Sequence, residues 1–166
     1  MRIVNETELK EVIKNHISNS PKYVPLVIFG HEAIGKTPIV DRVISENGKT
    51  PVRITEPEGF EKASKNAILV AAFNDYDNME DDIRPFLSMK RNVPLILELT
   101  VPFEGMAKPI SQAYNNCLNV VYFREGIDDC IKWIETSGEV EYTDLMGRAI
   151  NLNPRFFFKE KFTILI

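Results

Sequence analysis

Apolar and polar positions alternate along this chain in two rhythms, and the rhythms take turns. Residues 25–29, 67–73, 94–100 and 118–123 are short, mainly apolar runs of strand length, and 51–55 reads as a further short strand of mixed character. The run at 67–73 is apolar at every position, as expected of a strand covered on both faces. Between these runs the spacing becomes helical. Leu9, Val12, Ile13 and Ile17 share one face of a helix predicted over residues 6–18, with Asn5 as N-cap and Glu8 completing a capping box. Ile39, Val40, Val43 and Ile44 do the same for a helix ending near Glu46, stopped by Asn47 and Gly48. Further helices are predicted over 81–89, 108–115, 127–136 (with Ile127, Ile131 and Ile134 inward) and 142–152.

Strands alternating with helices at this spacing predict an α/β fold: about five parallel strands with helices on both faces, in three layers. Ligands of such sheets bind at the carboxyl ends of the strands. The candidate chemistry falls at one of those ends. Directly after the apolar run 25–29, Gly30, His31, Glu32, Ala33, Ile34, Gly35, Lys36 and Thr37 spell Gly-x-x-x-x-Gly-Lys-Thr, with a helical pattern following. This is a phosphate-binding loop in its required strand-to-helix context. Its glycines permit a tight turn that aims backbone N–H groups at phosphate oxygens. Lys36 sets a charge on the β/γ-phosphates, and the Thr37 hydroxyl ligates Mg²⁺. The helix dipole points at the same anion. Pro38 departs from the pattern. It suits the first turn of a helix but has no N–H to donate to an α-phosphate, so weaker nucleotide binding is expected.

Composition narrows the setting. The chain has 166 residues, 44% hydrophobic and 27% charged, which suits one folded domain with a real core. Its net charge of −4, with a pI near 5.3, gives no indication of nucleic acid as a partner. No apolar run reaches membrane-span length and the N-terminus lacks a signal-peptide pattern, so a cytoplasmic protein without membrane association is expected. Cys117 and Cys130, with two distant histidines, make no zinc pattern and are read as small apolar residues. The acidic segment from Asp75 to Asp82 lacks the Gly and Glu that a calcium loop needs, and apart from Asp75 it reads as a solvated helix start. Glu98 stands alone in an apolar run, either as a paired carboxylate or as a catalytic base.

The phosphate loop, the apolar run ending in Asn74-Asp75, the run Leu95 to Pro102, and the pieces Ile127 to Trp133 and Leu152 to Phe156 occur in an order that resembles the AAA+ ATPases, in particular their MoxR-like group. The resemblance implies a P-loop NTPase-type core over residues 1–140, with 141–166 as a short extension where the family has a helical lid. It implies ATP and Mg²⁺ as ligands, and ATP hydrolysis with Lys36, Asp75 and Glu98 as catalytic candidates and Thr37 and Asp75 at the metal. It also implies a homo-oligomer or a protein partner. The departures point to slow or oligomer-dependent turnover. Where the family has Asp-Glu this chain has Asn74 and Asp75, and its arginine for a neighbouring subunit falls at Cys117 or a flanking Asn. The interval from Thr37 to Asn74 is also shorter than in a complete member. A catalytically inactive assembly module is the second reading. A small-molecule or nucleotide kinase is the third, set back by the scarcity of arginines between the later strands.

Overall fold

The computed structural model describes residues 2–19, 24–30, 34–73, 79–99, 117–126 and 128, together with the pairs 142–143 and 149–150. The chain opens with strand β1 (Arg2–Val4) and helix α1 (Glu6–Asn19), then β2 (Leu26–Phe29), α2 (Lys36–Glu46) and β3 (Thr50–Arg53). There follow β4 (Ala67–Phe73), α3 (Met79–Ser88), β5 (Leu95–Leu99) and β6 (Leu118–Tyr122). These six strands form one sheet in the order β1-β6-β2-β5-β4-β3, parallel at every pairing.

The side-chain alternation of a strand divides the interior into two layers. On one side, Leu26 and Ile28 of β2, Ile68 and Val70 of β4, Ile96 of β5, and Val120 and Tyr122 of β6 pack under α1 and α2. On the other, Val27, Phe29, Leu69, Ala71, Leu95, Leu97, Leu99 and Val121 pack under α3 through Ile83 and Phe86. Each fully buried aliphatic side chain in these layers contributes about 1.5–3 kcal/mol. Phe73, where β4 emerges from the sheet, meets Phe86 edge-on with ring centroids 5.0 Å apart.

The capping box at α1 is present. Glu8 N–H donates to Asn5 Oδ1 at 2.9 Å, and Asn5 N–H donates to Glu8 Oε2 at 3.0 Å. Asp81 and Asp82 in the early turns of α3 are exposed, as a solvated helix start requires. Among the described residues no helix is long and apolar enough to cross a membrane.

Two expectations change. The sheet has six parallel strands rather than about five, because Arg2–Val4 adds an edge strand against Val120–Tyr122. The helix expected over 142–152 is replaced by an antiparallel pair of very short strands, β7 (Tyr142–Thr143) and β8 (Ala149–Ile150). Gly147, which lies between them in sequence, is a poor helix former, as are Tyr142 and Thr143. The helix expected over 108–115 lies outside the described residues, as does that over 127–136 apart from Asp128, which is helical.

Candidate phosphate-binding site

The sheet delivers its chemistry at the carboxyl edge. Gly30 directly follows β2, and its N–H donates to the carbonyl of Leu99 at the end of β5, 3.1 Å away. Gly35 is the N-cap of α2, with φ 95° and ψ 22°. That left-handed conformation costs an L side chain roughly 1–2 kcal/mol, so glycine suits the backbone here. At Gly30 the reason differs. A Cβ there would come within 3.1 Å of Lys36 Cδ and 3.2 Å of the Tyr122 carbonyl oxygen, so Gly30 provides room for the Lys36 side chain.

Lys36 occupies that room. It is buried, and its Nζ donates to the Gly30 carbonyl at 2.7 Å, so the last lysine of the motif folds back across to its first glycine. At the head of α2 no side chain caps the helix and no acidic residue lies in the first turn. The partial positive charge of the helix N-terminus therefore stands beside a buried ammonium, with no acidic residue in the helix's own first turn. Pro38 lies within this first turn and has no amide N–H to offer.

Next to Lys36, the Thr37 hydroxyl donates to Oε2 of Glu98 at 2.6 Å. Glu98 is 2% exposed and lies in β5, paired in register with Ile28 on one side and Ala72 on the other. Its Oε2 also accepts from Arg53 Nη1 at 3.3 Å, while Arg53 Nη2 donates to Asp41 Oδ1 at 2.6 Å. Arg53 ends β3, two strands from Glu98. Ala72 on the intervening β4 is small. Burial disfavours the Arg53 guanidinium, but the Glu98 and Asp41 carboxylates outweigh it and hold its pKa above the ordinary value. Oε1 of Glu98 is buried without a hydrogen-bond partner.

Of the residues singled out from sequence, Gly30, Ile34, Gly35, Lys36, Thr37 and Glu98 are therefore gathered at one edge. His31, Glu32, Ala33, Asn74 and Asp75 lie outside the described residues. Arg53 and Asp41 went unnoticed in the sequence. Arg53 sits in a short strand of mixed character, and nothing local reveals that its buried partner is 45 positions away. Asp41 stands four positions beyond Thr37, on the same side of α2, which is the one available signal. Among the described residues, no group of three or more His, Cys, Asp or Glu side chains could hold a metal by itself.

No family model and no curated protein matches this chain. The site is therefore read from its own geometry.

Removing Arg53 tests how strongly it supports Glu98. Arg53→Ala leaves a buried carboxylate with Thr37 as its remaining donor, and a loss of about 1–3 kcal/mol is expected in urea unfolding. Asp41→Asn breaks just the half-exposed outer pair, whose side chains are 39% and 41% exposed, and should cost under about 1 kcal/mol. Equal losses in the two variants would show that Arg53 gives Glu98 no special support.

Cys117 is half-buried beside the α3-side layer. Burial pushes its thiol up to about 11, against the opposing pull of the Arg91 charge, so it stays protonated and unreactive near neutral pH. Cys130 lies outside the described residues.

Proposed function

We propose that this protein binds ATP–Mg²⁺ through a P-loop NTPase-type fold and hydrolyses it slowly or when assembled with further copies. The observation that carries this is the Lys36–Gly30 contact at 2.7 Å, inside a loop that ends on the uncapped N-terminus of α2. An ammonium parked on a carbonyl at a helix N-terminus that no side chain caps is poised to exchange that carbonyl for phosphate oxygens, gaining charge-assisted bonds roughly twice as strong. Adenine is favoured because the Asn/Thr-Lys-x-Asp segment that reads guanine does not occur in the sequence.

In this reading Lys36 holds the β/γ-phosphates and the α2 amides receive the remaining anionic oxygens. Thr37 carries a hard-oxygen hydroxyl of the type Mg²⁺ takes, held by Glu98. Bound Mg²⁺ would neutralise charge developing on the phosphates. Asp75 would orient the attacking water. Slow turnover follows from Asn74 being neutral and from the missing arginine, whose loss can cost about 10³–10⁵ in rate. The inactive assembly module draws support from Pro38, which lies in the first turn of α2 and subtracts an amide from the cradle.

Calorimetric titration of ATP and ADP, with and without Mg²⁺, tests the proposal. Binding with a dissociation constant on the order of 10 μM, tightened by Mg²⁺, is expected. No detectable heat at millimolar nucleotide would overturn the nucleotide reading, and binding without turnover at any protein concentration would favour the inactive module.

A further inference from the structure

We propose that Glu98, on the strand beside the phosphate-loop strand, is the carboxylate that organises the divalent cation of this site, in place of the Asn74–Asp75 pair that the motif order suggests. This deepens the nucleotide reading and rests on it. The starting point is an imbalance. A carboxylate that is 2% exposed needs its charge answered on both oxygens. Here Oε2 accepts twice, from Thr37 at 2.6 Å and from Arg53 at 3.3 Å, while Oε1 accepts nothing. The Arg53 contact is long, and its guanidinium is shared with Asp41. Glu98 therefore retains an acceptor oxygen without a donor, on the carboxylate whose other oxygen is bonded to Thr37 at the head of α2.

The Thr37 hydroxyl supplies the second half of the argument. It has a single proton, and that proton is committed to Glu98. The lone pairs of Thr37 Oγ1 are thereby turned away from Glu98, which is the orientation that makes a hydroxyl a cation ligand. A carboxylate that accepts from a ligating group both orients it and raises its basicity, and such partners set metal affinity about as strongly as ligands do. The orphaned Oε1 is the feature that a hard cation or its hydration shell would satisfy. Asn74, being neutral, offers less to either. The described residues hold no free-standing metal cluster, so the cation is expected to need the nucleotide's own oxygens as co-ligands.

The probe is Mn²⁺ with ADP, free Mn²⁺ being read by electron paramagnetic resonance. In Glu98→Gln, which keeps the shape and an acceptor for Thr37, Mn²⁺ affinity in the presence of ADP should fall at least about tenfold. ADP binding in EDTA should stay within about twofold, and Asp75→Asn should lower Mn²⁺ affinity by less than Glu98→Gln does. Because a buried substitution can unsettle the fold, the wild-type protein provides a parallel measurement. Mn²⁺–ADP should broaden the ¹³C carboxyl resonance of Glu98 more than that of Asp75. Loss of Mn²⁺ affinity in Asp75→Asn but not in Glu98→Gln, or broadening centred on Asp75, would overturn the inference. Wild-type ADP binding that is indifferent to Mn²⁺ overturns it while leaving the nucleotide reading intact. An absence of ADP binding altogether overturns both.

Discussion

Under the proposed function, Lys36→Met should lower nucleotide affinity by about a hundredfold, equivalent to about 2.7 kcal/mol. The size follows from what the side chain does. Methionine fills the same slot beside Gly30, so the packing at the loop is largely preserved. The charge is lost, and with it the charge-assisted bonds to phosphate, worth about 1.5–3 kcal/mol each. Folding stability should change far less, by about 1 kcal/mol for the hydrogen bond that Nζ now gives the Gly30 carbonyl. Calorimetry with ADP and Mg²⁺, run beside urea unfolding of the same samples, separates the two quantities. A variant that binds as the wild type does would mean that the loop does not hold phosphate.

The second large effect concerns pH. His16 in α1 is 3% exposed, and its ring Nε2–H donates to the Leu95 carbonyl at 3.1 Å. A carbonyl can only accept, so the neutral ring carries its proton on Nε2. Burial, opposed by the Leu95 carbonyl and reinforced by the Arg91 charge, lowers the His16 pKa to about 4 from 6.5. In the unfolded chain the ring takes up its proton near 6.5, whereas the folded chain refuses it until about 4. The neutral ring's contribution is therefore complete above pH 6.5 and is lost as pH falls from there toward 4. Between pH 7.5 and 5 the wild type should lose roughly 2 kcal/mol more stability than His16→Gln. Urea unfolding of both proteins at several pH values measures the difference. Parallel pH profiles would show that His16 is charged in the folded state or reaches water.

The two effects differ in how visible they were beforehand. Lys36 stands in a motif whose spacing carries its own explanation, and the structure places its ends against each other. The strand over 67–73 was legible to the residue because every position is apolar and both faces are covered. The start of α1 was legible because Asn5 and Glu8 satisfy one another locally. Glu98 was visible as an anomaly, a charge among leucines and isoleucines, but its partner Thr37 is 61 positions away, and neither neighbourhood names the other. His16 has the same difficulty, since what buries it is the start of a strand 79 positions on. Arg2–Val4 is too short to announce itself, and it is a strand because Val120–Tyr122 offers it a ladder. Local periodicity reports on local backbone; pairing across the sheet depends on which distant segments meet.

That dependence bears on how the protein is made. β2, which leads into the phosphate loop, has no neighbour from its own part of the chain. It is flanked by β5 and β6, so that Leu26 pairs with Ile96 on one side and Leu118 on the other. During synthesis the four apolar residues of β2 leave the ribosome well before either partner exists. The loop after it has no sheet to stand on until β5 emerges, and β2 remains an open edge until β6 follows. Long-range parallel pairing is slow because chain closure must precede the contacts that reward it. Under the proposed function, nucleotide affinity should thus arrive abruptly and late in the growing chain. A nascent protein stalled before β5 would expose an unpaired apolar strand to aggregation or to a chaperone.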